Sequence, residues 1–443
     1  MKRKIKKLIL GCFSAKIRRK TKLSKLQSDE LAQTLFRALY AMNGWRIWYN
    51  RMPLRVVYAM DWKNFSLTEE KLLKLIGKPK YRTQYRQPIG MWYTIDSEES
   101  WQDAPRVENS DRVTYYASGR EPFLAIANSL SPARKVVLAP YFTCATVFQP
   151  FLENGWEIVY YKVTKELKID TQDVQALFDA HRPSMAVFME YGGTDLTEEE
   201  LETIGRLKRA GCVTVVDRSQ NLYSKRRDPE VDFYCGSLRK WYCIPDGGYL
   251  ERNGELPLPP VPEAGTYNDV YAAACAAMMF VNGLAQRTKI AQYMELSFFF
   301  RKLSTSYVCC QPVRERNMWE YSKAVYLREQ ARDEIYQQRR MENFRYVSQR
   351  IQSLTVVRLV CPEPTSAPFY VHVYTQDRQA LSRYLRSKGI STWTYWSKPD
   401  IFGTLDAQTE YIFAHIVSLP CDQRYTLEDM EKLCDALEAY EKS

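Results

Sequence analysis

The stretch "KVVLAPYFTCATVFQPFLENGWEIVYYKV", residues 135–163, carries the pattern that decides the fold. Its short apolar run, residues 135–140, predicts a buried strand, and "TVFQPFLENG" predicts a helix that ends at Gly155. "WEIVYYKV" then predicts a second strand. Two strands joined through a helix by short links are typical of a parallel sheet, because parallel strands need a crossover connection.

The same alternation continues along the chain. "DTQDVQALFDAH" and "TEEELETIGRLKRAG" predict helices, and "SMAVFMEYGG", "VTVVD" and "DFYCGSL" predict strands. A proline-rich break near residue 260 precedes a long helical stretch from about residue 268 to 354. "TVVRLV", "FYVHVYT" and "ISTWTYW" then predict strands of a small terminal unit. We therefore predict an α/β protein with a mostly parallel sheet wrapped by helices and a small C-terminal α+β domain.

These patterns predict that the chain is divided into five regions. They are a basic arm (1–28), a helical N-terminal extension and connector (29–110), a large cofactor-binding α/β domain (111–260), a helical segment (261–354) and the small C-terminal α+β domain (355–443).

The net charge of +11 belongs to the arm. Eleven of the 63 basic residues lie within residues 1–28, which contain no acid, so the other 52 balance the 52 acidic residues. This distribution argues against a nucleic-acid partner, because no basic surface extends over the rest of the chain. The arm is interpreted either as a solvated tail or as a peripheral contact of residues 1–25 with anionic lipid.

Cysteine and histidine spacing excludes the usual metal sites. The eleven cysteines show no CxxC pair, and the three histidines (His181, His372 and His415) are far apart in sequence, so no metal is expected. The sequence has no export signal or apolar run long enough to span a bilayer. We expect reduced thiols and a cytoplasmic protein, peripheral at the inner face of the membrane if the arm binds lipid.

Polar residues at predicted strand ends indicate the chemistry. Asp217 ends "VTVVD" and Gln220 follows three residues later, whereas Lys240 follows the next strand, with Ser237 before it. Ligands of open α/β sheets bind at such ends. Simpler interpretations are a helix cap for Asp217 and a surface loop for Lys240.

A third strand end precedes "ASGRE", where Ser118, Gly119 and Arg120 begin a predicted helix. Free N–H groups at a helix start attract anions, and an arginine adds charge.

Together, the residues at the three predicted strand ends fit pyridoxal phosphate. The cofactor requires a lysine for covalent attachment (Lys240), an acid for the pyridine nitrogen (Asp217), a hydrogen bond to its phenolic oxygen (Gln220) and donors for its phosphate, here Ser118, Gly119, Arg120 and Ser237.

These motifs resemble those of the DegT-type sugar aminotransferases, a branch of the fold-type I pyridoxal phosphate enzymes. The family's Ser-Gly-Thr helix start resembles "ASGRE", its "EDAAQ" resembles "VDRSQ", and its Lys…Glu-Gly-Gly segment resembles "RKWYCIPDGGYL". Its ring-facing segment resembles "APYFTCATV", which implies that Cys144 lies at the position where the family stacks an aromatic residue on the cofactor.

The resemblance implies a pyridoxal phosphate-dependent aminotransferase. Its substrates would be a nucleotide-linked keto sugar and an amino-acid donor, in surface polysaccharide or glycan biosynthesis, and family members are homodimers with shared sites. The alternative is a catalytically divergent relative that binds sugar nucleotide or acts as a scaffold at the membrane. The Cys144 position and the basic arm favour that alternative.

Overall fold

A computed structural model describes residues 10–11, 14–21, 23–41, 52–62, 67–76, 88–91, 93–95 and 104–442, except 131, 133 and 362. The helices are α1 (Lys25–Ala41), α2 (Met52–Ala59), α3 (Glu69–Ile76), α4 (Glu121–Ser129), α5 (Ala145–Glu153), α6 (Thr171–His181), α7 (Glu198–Arg209), α8 (Asp269–Thr288), α9 (Ala291–Cys310), α10 (Glu320–Gln330), α11 (Asp333–Ile351), α12 (Arg378–Ser387), α13 (Ala407–His415) and α14 (Leu427–Glu441). The strands are β1 (Val113–Tyr116), β2 (Val136–Pro140), β3 (Glu157–Tyr161), β4 (Met185–Met189), β5 (Val213–Asp217), β6 (Phe233–Ser237), β7 (Gly248–Arg252), β8 (Arg358–Leu359), β9 (Val371–Tyr374) and β10 (Ile416–Leu419).

A seven-stranded sheet with the order β1-β7-β6-β5-β4-β2-β3 forms the centre of the molecule. Strands β2 to β6 pair in parallel, and β7 is antiparallel to both β6 and β1. Strands β2, β4, β5 and β6 are buried along their whole length, because helices cover both faces of the sheet. The predicted α/β class with a mostly parallel sheet is confirmed.

The small unit contains the antiparallel sheet β10-β9-β8, which packs against α11, α12 and α14. The predicted strand "ISTWTYW" is wrong, since this segment pairs only through two isolated bridges, Ile390 with Ile89 and Trp393 with Ser418. Its aromatic rings, Trp393, Tyr395 and Trp396, pack against one another instead. Helix α13 and strand β10 have no counterpart among the predicted elements, and His415 is the last residue of α13.

A layer of helices joins the N-terminal extension to α8 and α9. Buried apolar residues between positions 17 and 95 form one cluster with residues 270–307. Glu30 of α1 pairs with Arg316, 2.7 Å away, before α10. Residues 14–20 are helical, and Ile17 and Leu23 belong to this cluster, so part of the predicted basic arm packs within the layer. None of the described helices has a segment long and apolar enough to cross a membrane.

Candidate active site

Three strand ends bring the predicted site residues to one edge of the sheet. Strands β1 and β6 are both antiparallel to β7, so they run in the same direction as β5. Their carboxyl ends therefore meet, and they place Ser118, Asp217 and Ser237 side by side. The approach is tight: a Cβ at Gly119 would lie 2.9 Å from the Ser237 Cβ, and one at Gly248 would lie 2.4 Å from the Ser118 carbonyl.

Lys240 and Asp217 form the charged pair of this edge. Lys240 ends a 3-10 helix (Leu238–Lys240) after β6, and its Nζ lies 5.8 Å from the ring centroid of Phe369. Burial lowers the pKa of Lys240, whereas the Asp217 charge opposes that shift. Burial likewise raises the pKa of Asp217, and Lys240 opposes this. Each of these two charges therefore favours the charged form of the other.

The simpler interpretations of these two residues are wrong. No helix begins between residues 218 and 230, all of which the structure describes, so Asp217 does not cap one. Its Oδ1 accepts the backbone N–H of Ser219 at 2.7 Å, which fixes the carboxylate in a turn. Lys240 is partly buried rather than a surface lysine.

Gln220 has a buried amide group that faces the site. Its Oε1 accepts the backbone N–H of Gly192 at 3.0 Å, which identifies the oxygen of the amide. Its Nε2 is buried and has no hydrogen-bond partner among the described residues. An unsatisfied buried donor is costly, so this N–H group is suited to a ligand acceptor.

His372 of β9 holds Gln220 from the other side. Its Nε2 lies 3.2 Å from Gln220 Oε1, and its Nδ1 lies 2.8 Å from Ser418 Oγ. Because the amide oxygen only accepts, Nε2 carries the proton, and in the neutral ring Nδ1 accepts the Ser418 hydroxyl. Burial lowers the pKa of His372 to about 4, so the ring is neutral at physiological pH. His372 is thus a positioning residue that we did not predict.

Strand alternation could have revealed this role. In "FYVHVYT", Val371 and Val373 point into the core of the small unit, which puts His372 on the face towards the large domain. The sequence carries no comparable signal for its partners, Ser418 and Gln220, which are separated from it by 46 and 152 residues.

The start of α4 provides free backbone donors. Arg120 is its N-cap residue and makes no side-chain capping hydrogen bond. In the described part of the chain, no acceptor engages the backbone N–H groups of Gly119 and Arg120. The Arg120 guanidinium, however, donates to Gln149 Oε1 at 2.6 Å and to the Val308 carbonyl at 3.3 Å. The side-chain charge expected at this helix start is therefore engaged elsewhere, and Arg120 contributes its backbone.

Glu121 lies at the same turn, and its carboxyl group is not expected to repel an anion bound there. Its carboxyl group accepts the Ala117 N–H at 3.1 Å and the Arg316 N–H at 3.3 Å. Burial raises the pKa of Glu121 to about 8, despite the nearby arginines. The group is therefore mostly uncharged at neutral pH, and the positive end of α4 remains available to a phosphate.

Cys144 and Ser237 complete the predicted set. Cys144 is the N-cap residue of α5, with its Sγ 3.0 Å from Thr146 Oγ1, and its thiol contributes electrostatically to the pKa of Lys240. Ser237 ends β6 against Gly119. The structure thus brings Ser118, Gly119, Cys144, Asp217, Gln220, Ser237 and Lys240 to one region, together with the backbone of Arg120.

A buried ion pair supports the turn after β5. Arg218 donates through Nε and Nη2 to the two Glu190 oxygens, at 3.0 and 3.2 Å, and its guanidinium lies 3.5 Å from the ring centroid of Tyr234. Asn221 donates to Glu190 Oε2 at 2.6 Å. These contacts hold the segment between Asp217 and Gln220 in place, so both of its functional side chains keep their direction.

Comparison with known proteins identifies the class of fold. No family model and no curated protein matches the sequence. The structure does match a "DegT DnrJ EryC1 StrS aminotransferase" from Brucella abortus with a TM-score of 0.53 and 18% identity, over 75% of this chain and 86% of that one. The fold is therefore that of the fold-type I aminotransferases.

Two further solved structures share this fold. PseC of Helicobacter pylori, an aminotransferase involved in the biosynthesis of pseudoaminic acid, matches with a TM-score of 0.54 and 13% identity, over 74% of this chain and 86% of that one. NtdA of Bacillus subtilis, with bound cofactor PMP, matches with a TM-score of 0.54 and 13% identity, over 75% of this chain and 73% of that one. The resemblance to DegT-type proteins is thus confirmed in the fold.

Proposed function

We propose that this protein is a pyridoxal phosphate-dependent aminotransferase of the DegT type. The observation that carries the proposal is the convergence of Lys240, Asp217 and the unpartnered Gln220 amide beside the free N–H groups of Gly119 and Arg120. This arrangement supplies one group for each requirement of the cofactor: an amine, a carboxylate, a donor for an oxygen and an anion cradle.

Each residue of the site would have a separate chemical role. Lys240 Nζ would hold the cofactor covalently, and burial, which lowers the pKa of Lys240, favours the neutral amine that this requires. Asp217, whose charge Lys240 favours against the effect of burial on its pKa, would hold a proton on a ring nitrogen, and Gln220 Nε2 would donate to an oxygen of the ring. When bound, the cofactor would supply an electron sink for the carbon beside an amine. Lys240 Nζ would be the group that takes up and returns a proton at that carbon.

We further propose a nucleotide-linked keto sugar as the amino acceptor and an amino acid as the donor, in glycan biosynthesis. The sugar-aminotransferase neighbours and the motif resemblance support this substrate class. We also propose a cytoplasmic location and a homodimer, and both of these proposals rest on the sequence alone. Incubation with glutamate and a nucleotide-linked keto sugar should yield 2-oxoglutarate and an amino sugar in equal amounts. A cofactor-loaded protein that yields neither from any donor or sugar would contradict the assignment.

A divergent, non-transaminating relative is the second candidate, and Cys144 favours it. A thiol at the position where the family stacks an aromatic ring gives a smaller surface for the cofactor. Cys144→Phe separates the two candidates. An active transaminase should keep turnover within a small factor, whereas a divergent protein should show sugar-nucleotide binding without amino transfer in both forms.

The basic arm supports an accessory contact with an anionic membrane. Within residues 14–20, Ser14 and Ile17 are buried, and the basic side chains are exposed: Lys16, Arg18, Arg19 and Lys20. A chain starting at Ser28 would lose Ile17 and Leu23 from the apolar cluster, so truncation there would damage the fold. The test therefore combines deletion of residues 1–9 with charge reversal at Arg18, Arg19 and Lys20. Binding to phosphatidylserine vesicles should disappear and cofactor attachment should persist; undiminished vesicle binding would refute the contact.

A further inference from the structure

The backbone carbonyl of Trp241, the residue after Lys240, is held by two side chains that have no role in the proposed function so far. Tyr93 Oη donates to this carbonyl at 2.8 Å, and Gln423 Nε2 also donates to it at 2.8 Å. Gln423 Nε2 donates in addition to Tyr93 Oη, at 3.1 Å. A carbonyl oxygen has two lone pairs, so both of its acceptor positions are filled. We call Tyr93 and Gln423 the carbonyl clamp.

The direction of each hydrogen bond in the carbonyl clamp is set by its surroundings. Arg340 Nε donates to Gln423 Oε1 at 2.7 Å, which identifies the amide oxygen and leaves Nε2 as the donor. Burial raises the pKa of Tyr93 to about 12, so its hydroxyl keeps its proton at physiological pH. Tyr93 and Gln423 therefore both act on Trp241 as donors.

Trp241 links the carbonyl clamp to the lysine. Its side chain is fully buried, and its Nε1 donates to the Ser219 carbonyl at 3.1 Å, in the turn after β5. Its ring centroid lies 5.2 Å from that of Phe369, and Lys240 Nζ lies 5.8 Å from the same Phe369 centroid. A movement of Trp241 would therefore displace the backbone of Lys240 and also the aromatic ring that faces its amine.

The two members of the carbonyl clamp come from outside the seven-stranded sheet. Gln423 follows β10 of the small unit, and Tyr93 belongs to a connector segment, residues 88–91 and 93–95. The connector segment forms hydrogen bonds with four residues of the small unit: Gly389, Ser391, Trp393 and Tyr425. The carbonyl clamp thus joins the small unit to the turn that carries Lys240.

We propose that Tyr93 and Gln423 are positioning residues that fix the direction of the Lys240 amine through the Trp241 carbonyl. The proposal rests on the proposed function, since it takes Lys240 as the residue that attaches the cofactor. The four-carbon stem of a lysine is flexible, so its amine keeps a reactive direction only where the backbone that carries it is fixed.

The small unit would then hold the site at two points. His372 of β9 contacts Gln220 Oε1 at 3.2 Å, and the carbonyl clamp holds the residue after Lys240. Both contacts act on groups that face the same ligand. The position of the small unit would therefore set the direction of the amide and of the amine together.

The experiment compares wild type with Tyr93→Phe and Gln423→Met, two uncharged changes that remove donors of the Trp241 carbonyl. After Gln423→Met, Arg340 keeps its hydrogen bonds to two backbone carbonyls, at 3.0 and 3.3 Å. Tyr425→Phe is the matched control. It also removes a phenolic hydroxyl that contacts the connector segment, where it accepts a backbone N–H at 2.6 Å, but it leaves both donors of the carbonyl clamp in place.

Two measurements on the full-length protein report on the Lys240 amine. The first is acetylation by acetic anhydride without cofactor, in which mass spectrometry of the Lys240 peptide gives the pH at which labelling is half-maximal. The second is the rate at which pyridoxal phosphate attaches to Lys240, followed by absorbance. Near-ultraviolet circular dichroism checks that each variant is folded.

Both clamp variants should raise the labelling midpoint of Lys240. Burial lowers the pKa of this amine, and a loosened turn would let the amine reach water, so the pKa should return towards its ordinary value. The attachment rate should fall roughly 3- to 10-fold in Tyr93→Phe and in Gln423→Met, the range expected when one buried hydrogen bond is lost. Tyr425→Phe should match wild type in both measurements.

Two results overturn the proposal. In one, Tyr93→Phe and Gln423→Met both keep the labelling midpoint and the attachment rate of wild type. In the other, Tyr425→Phe changes them as much as the clamp variants do, which would assign the effect to general loosening of the connector segment. Failure of the proposed function has a different signature: pyridoxal phosphate would not attach to Lys240 in wild type, whereas the clamp variants would still shift its labelling midpoint.

Discussion

Replacement of His372 by phenylalanine tests how the small unit positions Gln220. The buried ring of His372 bridges Gln220 Oε1 and Ser418 Oγ, and burial lowers the pKa of His372 from 6.5 to about 4. Phenylalanine keeps a ring of similar size but removes both hydrogen bonds and the titration. Because it leaves the buried Ser418 hydroxyl without this partner, we expect a loss of about 1–3 kcal/mol in the free energy of unfolding at pH 7.5.

The pH dependence of the free energy of unfolding gives a more specific prediction for His372. The unfolded chain protonates His372 near pH 6.5, whereas the folded chain does so only near pH 4. Stability from the neutral ring is therefore fully present above pH 6.5 and is lost as the pH falls. Each pH unit in this window is worth about 1.4 kcal/mol, so wild type should lose about 2 kcal/mol from this group between pH 6.5 and 5.0. His372→Phe has no such loss.

Equilibrium urea denaturation at pH 7.5, 6.5 and 5.0, followed by tryptophan fluorescence, measures the difference between the two proteins. The advantage of wild type should shrink by about 2 kcal/mol towards pH 5.0 and can change sign. His415→Phe is the control, because it removes a histidine next to the same small sheet, where His415 Nδ1 contacts the Thr375 carbonyl oxygen. A wild-type advantage that stays constant from pH 7.5 to 5.0 would refute the account of a neutral buried His372.

Three further changes have distinct expected outcomes. Asp217→Asn should keep the shape of the turn but lower amino transfer by about 10²–10³-fold in steady-state assays, since the charge on the ring nitrogen is lost; unchanged turnover would exclude the role. Glu121→Gln should bind cofactor more tightly than wild type at pH 9 but equally at pH 7, because the Glu121 pKa of about 8 lets the carboxylate form only in the wild type at the higher pH; parallel titrations would contradict this. Glu190→Gln should lower the free energy of unfolding by about 3–5 kcal/mol in urea denaturation, because Arg218 would remain buried without its counter-charge, and an unaltered midpoint would refute the importance of the pair.

The sheet could be predicted from the sequence because its signals are local. Strands β2 to β5 are short apolar runs separated by helices with clear starts, such as the Thr197–Glu200 capping box of α7, and β6 follows β5 after a loop. Asp217 and Lys240 stand at the ends of such runs, so their approach followed from the direction of parallel strands. The small unit was harder to predict, because the aromatic segment 390–396 packs through its rings and pairs only in isolated bridges at Ile390 and Trp393.

Side-chain direction could not be predicted, since it depends on distant partners. Arg120 appeared suited to a phosphate, but Gln149 and the Val308 carbonyl, 188 residues away, hold its guanidinium.

Reduction with borohydride tests the central claim most directly. Wild-type protein is incubated with pyridoxal phosphate, reduced, digested and sequenced by mass spectrometry, with Lys240→Ala treated in parallel. For wild type, the account predicts one modified peptide, with the cofactor mass on Lys240. For Lys240→Ala, it predicts no modified peptide. Stable modification of a different lysine, or equal labelling of Lys240→Ala, would contradict the assignment of Lys240 as the cofactor-binding residue.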